Sequence, residues 1–210
     1  MEKTLDDKNW QAYFWPGTNV LKNKLNIYDK EKLKKKETEL SFYRQVELME
    51  NPIGGNFDIV HLQCIHQYLF QDIYDFAGKF RNVDIEKNAC SFVKWQEIGV
   101  RLQNEFELMN NDLTKVINVY DFAEHLAKYY VEITYIHPFR EGNGRSIREF
   151  IREYANEKSK CLLCGPLEFL WSKVDIEQIN RVIHFSIAFH SAITLEFLKA
   201  LVPVVPEIKR

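Results

Sequence analysis

HPFREGNGRSIR, at residues 137–148, lies between two segments that have the periodicity of helices. Pro138 and two glycines, Gly142 and Gly144, end the first helix and form a tight loop before the second. Glycine lets the backbone approach a ligand closely. The N–H groups at the start of the following helix form a concave site that attracts anions, helped by the helix dipole. The stretch therefore predicts a helix–loop–helix unit that binds an anion.

The charged residues of this stretch indicate what the anion is. Arg145 and Arg148 are three residues apart, so both lie on one face of the helix and can reach the same phosphate chain. Glu141 would repel phosphate unless a divalent cation such as Mg²⁺ links the two. His137, with an ordinary imidazole pKa of about 6.5, is a usable general base. A generic turn explains the glycines but not this set, which predicts nucleotidyl or phosphoryl transfer.

The stretch resembles the signature of the Fic family, H-x-F-x-[D/E]-G-N-G-R-x-x-R. All eight specified positions are filled, by His137, Phe139, Glu141, Gly142, Asn143, Gly144, Arg145 and Arg148. IHQYLFQDIYDFAGKFRNVDI, at 65–85, is similar to the family's helix leading into its β-hairpin flap, and the resemblance covers about residues 30–200. YFWPGTNVLKNKLNI resembles Fic domains of effectors that host-infecting bacteria secrete through type IV systems.

The resemblance implies an all-α fold, a helical bundle with a small β-hairpin flap over the active-site loop. It implies a protein adenylyltransferase, in which His137 deprotonates a Ser, Thr or Tyr hydroxyl that attacks the α-phosphate of ATP. Glu141 would hold Mg²⁺ against the phosphates. Arg145 and Arg148 would bind the β- and γ-phosphates, and pyrophosphate would leave.

The remaining motif positions receive supporting roles from the same resemblance. Asn143 and the amides of Gly142 and Gly144 would cradle the phosphates where negative charge develops. Phe139 would point into the core and anchor the loop.

The flap is expected at 80–93, where the helical period breaks and alternating apolar residues indicate a hairpin with Asn88 at its bend. The resemblance implies that it pairs with an extended segment of the target protein. Lys87 and Phe92 are the predicted target-docking residues.

Two departures within the family bear on activity and control. Relatives that transfer phosphate carry Lys at the position of Gly144, so this glycine favours AMP transfer. The family's inhibitory motif, [S/T]-x-x-x-E-[G/N], is absent: Glu50 and Glu141 precede Asn or Gly, but Val46 and His137 stand four residues earlier. The enzyme is then either constitutively competent or restrained by a separate small antitoxin. The resemblance implies a bacterial effector or a toxin.

Two other functions stay open from the sequence. The loop fixes phosphate geometry but not the donor, so transfer of UMP, GMP or phosphocholine, or removal of AMP, remains an alternative. A catalytically inactive Fic-like module that binds peptides is the other. The target protein is not identified by the sequence; a small GTPase of a host cell is the candidate by resemblance.

Outside the loop, apolar spacing predicts a mostly helical chain in three parts. We expect an N-terminal extension over 1–28 that packs on the core, the Fic domain over 29–201, and a linker over 202–210 towards a further C-terminal region. The first predicted helix covers 30–51 with Asp29 as its cap, and the second covers 57–78 and is stopped by Gly78. Further helices are predicted at 95–110, 116–136, 172–187 and 191–201, and one more begins near Arg145.

Composition excludes several classes of protein. A net charge of −2 argues against a dedicated nucleic-acid binder. The sequence contains no run of about 18 apolar residues, so we expect no membrane insertion. The N-terminus lacks the apolar segment of a secretory signal, so we expect the protein in the bacterial cytoplasm. The resemblance implies type IV secretion into a host. Cys161 and Cys164 lack the partners of a zinc or redox site. His61 and His66 are interpreted as structural or surface residues.

Overall fold

The computed structural model describes residues 5–87, 90–163, 165–183 and 190–204, excluding the side chains of 5–7, 87, 90 and 190. Helices dominate these residues, as the sequence predicts: α1 Leu5–Ala12, α2 Lys30–Glu50, α3 Ile59–Phe70, α4 Ile98–Asp112, α5 Val119–Ile136, α6 Asn143–Lys158, α7 Ile176–Val182 and α8 His190–Ala200. Two short antiparallel pairs accompany them: β1 Glu86–Lys87 with β2 Cys90–Ser91, and β3 Leu167–Phe169 with β4 Leu201–Pro203. None of the described helices combines the length and apolar character needed to span a bilayer.

The chain divides into two compact units. The first contains Met1–Leu102 and Ile136–Ser146, and the second contains Gln103–Tyr135 and Ile147–Arg210. The Fic domain expected over 29–201 includes residues of both units, and its bounds stay a prediction.

In the first unit, α2 packs against α3. In α3 the buried apolar residues Leu62, Ile65 and Leu69 recur at three- and four-residue spacing, as the apolar pattern predicts. The buried residues of α2 are mixed in character: Leu33, Glu37, Ser41 and Leu48. Asp29 accepts a hydrogen bond from the Lys32 N–H at 2.8 Å, and Asp58 caps α3 by accepting from the His61 N–H at 2.9 Å. Each carboxylate satisfies an N–H group that the first helical turn leaves without a helical partner.

Helix α3 is shorter than predicted, because it ends at Phe70 and not at Gly78. The Ile73 carbonyl accepts a hydrogen bond from the Lys24 N–H at 2.8 Å, so a partner outside the helix takes the role of the next helical turn. Ile73 is still fully buried, which explains why the apolar pattern continues past the helix end.

The N-terminal extension makes specific contacts within the first unit. Tyr13 Oη donates to Asn82 Oδ1 at 2.8 Å, and Asn9 Nδ2 donates to the Asn82 carbonyl at 3.3 Å. The rings of Trp10 and Tyr13 lie 4.6 and 5.5 Å from the Arg140 guanidinium carbon. Contacts of this kind stabilise a cation over an aromatic face, so the extension holds a side chain of the motif loop.

The second unit has an aromatic core around α5 and α8. Tyr130, Phe169 and Trp171 all pack against Phe197, with ring centroids 5.1–5.4 Å apart. Strand β4 contains residues 202 and 203, which the sequence predicts as the start of a linker, while 205–210 lie outside the described residues. Helix α7 begins at Ile176, four residues later than the helix predicted at 172–187, and residues 184–187 also lie outside the description.

Candidate active site

The loop between α5 and α6 turns through two residues with left-handed backbone. His137 has φ of 51° and Gly142 has φ of 82°. Glycine adopts this conformation freely, but a histidine there is strained and persists only where surrounding contacts hold it. The candidate base therefore occupies a position that the rest of the first unit must enforce.

Asn143 closes the loop from inside. Its Oδ1 accepts from the Phe139 N–H at 2.8 Å and its Nδ2 donates to the Phe139 carbonyl at 2.7 Å. The side chain is buried and both of its polar atoms are engaged, so it braces the loop. The role of Asn143 in a phosphate cradle stays a prediction.

Phe139 and His66 anchor the loop on α3. Phe139 is completely buried, as predicted, and its ring stacks on that of His66 with centroids 3.8 Å apart. The Gly78 N–H donates to His66 Nδ1 at 2.8 Å, so the other ring nitrogen, Nε2, carries the proton and donates to the Glu141 carbonyl at 2.9 Å. Burial lowers the pKa of His66 to about 4, which keeps the ring neutral in this role.

His66 is thus a residue whose role the sequence did not reveal. It was expected to be structural or on the surface; it is buried and supports the backbone of a candidate metal ligand. Its partner lies 75 residues away along the chain, and no local spacing signals that contact.

The flap reaches the candidate base. Strands β1 and β2 form the predicted hairpin, pairing Glu86 with Ser91. The ring of Phe92, which follows β2, stacks on the ring of His137 with centroids 3.9 Å apart and an interplanar angle of 17°. The structure therefore brings one predicted docking residue onto His137. The backbone of Lys87 lies in β1, while its side chain and Asn88 lie outside the description.

Helix α6 begins directly after Gly142. The Gly142 carbonyl accepts from the Ser146 N–H at 3.1 Å, which leaves the N–H groups of the first turn, including that of Gly144, at the open end of the helix. The Gly142 N–H donates to Glu141 Oε1 at 3.1 Å. A carboxylate already lies at this N-terminus, which is the kind of site that binds anions.

Glu141 fits the requirements of Mg²⁺ bound together with phosphates. Among the described residues, no group of three or more His, Cys, Asp or Glu side chains could hold a metal ion. Mg²⁺ is commonly bound by one or two carboxylates together with substrate phosphates, so a single half-buried carboxylate beside an anion site is sufficient.

The two motif arginines have different surroundings. Arg145 forms an ion pair with Glu37 of α2, donates from Nη1 to Ser41 Oγ at 2.7 Å, and lies over the Phe70 ring. Its guanidinium is thus engaged by α2, and the phosphate-binding role predicted for Arg145 stays a prediction. Arg148 belongs to the second unit, where burial raises the pKa of the Tyr130 hydroxyl and the Arg148 charge opposes that rise.

Comparison with known proteins places these features in a family. Residues 56–155 match the model of the Fic/DOC family. The chain is 34% identical over 170 residues to "Protein adenylyltransferase VbhT" of Bartonella schoenbuchensis, covering 80% of this chain and 34% of that protein. It is 33% identical over 176 residues to "Probable protein adenylyltransferase Fic" of Escherichia coli K12, covering 80% of each. The chain thus spans about a third of VbhT but most of the second relative.

Solved structures share the fold. The N-terminal Fic domain of a VirB-translocated Bep effector from Bartonella sp. AR 15-3 matches with a TM-score of 0.80 at 24% identity, covering 91% of each chain. BepC of Bartonella tribocorum with bound AMPPNP matches with a TM-score of 0.79 at 22% identity, covering 93% of this chain and 98% of that one. At these identities the matches establish the fold alone.

Proposed function

Because this chain belongs to the Fic/DOC family, we infer that it is a protein adenylyltransferase, which transfers AMP from ATP to a hydroxyl side chain of another protein. Relatives at 33–34% identity carry that name. The observation that carries the assignment is the complete motif loop, on which His137 lies against the flap residue Phe92.

The transfer follows from the position of His137. We assign its imidazole as the base that accepts the proton of the target hydroxyl while the hydroxyl oxygen attacks the α-phosphorus of ATP. The new oxygen–phosphorus bond forms as the bond from the α-phosphorus to the bridging oxygen breaks, and pyrophosphate leaves. The first-turn N–H groups of α6 would stabilise the negative charge that grows on the phosphates.

Glu141 is the residue that we assign to Mg²⁺. When bound, the ion would neutralise phosphate charge. Glu141 is well supported for this task, because His66 fixes its carbonyl and the Gly142 N–H fixes one carboxylate oxygen.

We assign phosphate binding to Arg148 and to the backbone of α6. Arg145 was predicted to share that task, and its ion pair with Glu37 supports a different first role, holding the start of α6 against α2. Arg145 would bind a phosphate only by exchanging its contact with Glu37.

The target would dock by adding a strand to the β1–β2 hairpin, which aligns its hydroxyl with His137. We propose a protein target, with a host small GTPase as the first candidate, and a separate antitoxin as the regulator. The secreted effectors among the fold relatives motivate a test of translocation by a type IV system.

The experiment compares nucleotide donors. The chain is incubated with host-cell lysate, Mg²⁺ and labelled ATP, UTP, GTP or CDP-choline, beside His137→Ala and the surface control Val60→Ala. We expect labelling of lysate proteins from ATP by the parent and Val60→Ala, and none by His137→Ala. Equal labelling by His137→Ala would remove the proposed base, and preference for another nucleotide would replace AMP transfer by one of the alternatives.

A further inference from the structure

Arg81 lies beneath the motif loop and is almost completely buried, with 2% of its surface exposed. Its Nε donates to the His137 carbonyl at 2.9 Å, and its Nη2 donates to the Ile136 carbonyl at 3.3 Å. The backbone N–H of Arg81 donates to the Pro138 carbonyl at 2.9 Å. One residue therefore holds three successive carbonyls at the point where α5 ends and the loop begins.

The same guanidinium also holds both arms of the flap. Nη1 donates to the Val83 carbonyl at 2.7 Å, and Nη2 donates to the Val93 carbonyl. Val83 precedes β1 and Val93 follows β2, so the two arms are fixed to a single group. Burial lowers the pKa of Arg81 to about 10, which still leaves it charged near neutral pH, and Asp84 provides an anion 3.8 Å from Nη1.

These contacts meet at His137. Its backbone is left-handed and must be enforced by its neighbours, and Arg81 bonds its carbonyl directly. Its ring stacks on Phe92, the residue before Val93, whose carbonyl Arg81 also holds. The backbone and the ring of the base are thus both tied, through Arg81, to the segment expected to align the target.

We propose that Arg81 is a positioning residue for the transfer reaction, which locks the flap and the His137 loop into one geometry. The proposal rests on the proposed function, since alignment matters only if a hydroxyl docked on the flap must reach His137. Arginine suits this task because its planar fork offers five N–H donors. Lysine keeps the charge, but its three donors share one nitrogen and cannot span carbonyls on two sides.

Arg81→Lys is the test, measured in the full chain with ATP and Mg²⁺. Arg44→Lys is the matched control, because Arg44 forms partly exposed ion pairs with Asp72 and Glu47 of the same unit. We expect Arg81→Lys to bind ATP like the parent by calorimetry and to half-saturate at the same ATP concentration. Its maximal rate of labelling lysate proteins should fall by roughly 100-fold, the scale of a misplaced catalytic group.

Several results would overturn the proposed role of Arg81. A maximal rate like that of Arg44→Lys would overturn the proposal, as would parallel loss of ATP binding and labelling. Arg81→Gln is the second variant, and we expect it to show the same separation between binding and rate. If neither variant folds while Arg44→Lys does, Arg81 is required for folding rather than alignment, and the proposal is wrong.

A second readout does not depend on activity. The His137 ring signals in a nuclear magnetic resonance spectrum are identified by their loss in His137→Ala. Stacking on Phe92 should shift these signals away from the positions of an unstacked histidine. Arg81→Lys should abolish that shift, and an unchanged shift would contradict the proposal. If the parent labels nothing while the shift still depends on Arg81, the proposed function fails and the positioning role survives.

Discussion

Replacing Gly142 by alanine tests whether the loop geometry is as tightly constrained as the structure indicates. Gly142 has φ of 82°, and an added Cβ would overlap Phe70 Cζ and Cε2 and lie 3.1 Å from Cδ2. A left-handed L-residue costs about 1–2 kcal/mol. Inserting a methyl group into a packed site costs about a further 1–3 kcal/mol. Together these costs should lower the free energy of unfolding of Gly142→Ala by about 2–5 kcal/mol. Alanine also reduces the entropy of the unfolded chain, which offsets about 0.4–1 kcal/mol of that loss.

Two other glycines separate these contributions. Gly17 has φ of 72° with no atom within 4 Å of an added Cβ, so Gly17→Ala reports the backbone cost alone. Gly54 has open space and no positive φ, so Gly54→Ala should be neutral or slightly stabilising. The assay is urea unfolding followed by circular dichroism. The expected order of stability is Gly54→Ala, then Gly17→Ala, then Gly142→Ala.

A double variant tests the source of the clash. Phe70→Leu should offset part of the loss in Gly142→Ala, so the pair should be less destabilising than the sum of the single changes. A Gly142→Ala variant as stable as Gly54→Ala would refute the reasoning, because neither the left-handed backbone nor Phe70 would then constrain this position.

Three other predictions concern charge. Burial lowers the pKa of His125 from 6.5 to about 4, so its neutral form stabilises the fold fully above about pH 6.5 and the stability is lost as pH falls towards 4. At 1.36 kcal/mol per pKa unit, the loss of unfolding free energy is on the order of 3 kcal/mol. In His125→Gln the unfolding free energy should depend less on pH between about pH 6.5 and pH 4. An unchanged pH dependence would contradict this role of His125. Arg148→Ala should raise the ATP concentration for half-maximal labelling by roughly 10- to 100-fold, which is the scale of a hydrogen bond to a charged group. A large fall in the melting temperature of the variant would instead show that Arg148 has a structural role. Glu141→Ala should raise the Mg²⁺ concentration that labelling requires, and an unaltered Mg²⁺ titration would remove the carboxylate from the metal site.

The sequence predicted the features that depend on residues close together along the chain. Periodic apolar residues and the cap Asp29 placed the helices, because these signals depend on neighbours within a turn or two. The motif loop was predicted as a unit for the same reason. The end of α3 was missed, since the competing partner of the Ile73 carbonyl comes from the N-terminal extension.

Contacts between distant residues could not be predicted in this way. Arg145 and Glu37 are 108 residues apart, so no local spacing in the sequence signals the ion pair that the fold forms between them. Arg81 was not singled out because buried arginines are rare and no pattern marks the carbonyls that it meets. Strands β3 and β4 are three residues each, too short for alternation to reveal them.

The most direct test of the central claim is the position of the transferred phosphorus. Lysate proteins are exposed to the chain with ATP labelled at either the α- or the γ-phosphorus, beside His137→Ala. The account predicts that the protein-bound label that depends on His137 comes from α-labelled ATP alone. Protein-bound label from γ-labelled ATP that depends on His137 would contradict it, because the chain would then transfer phosphate and not AMP.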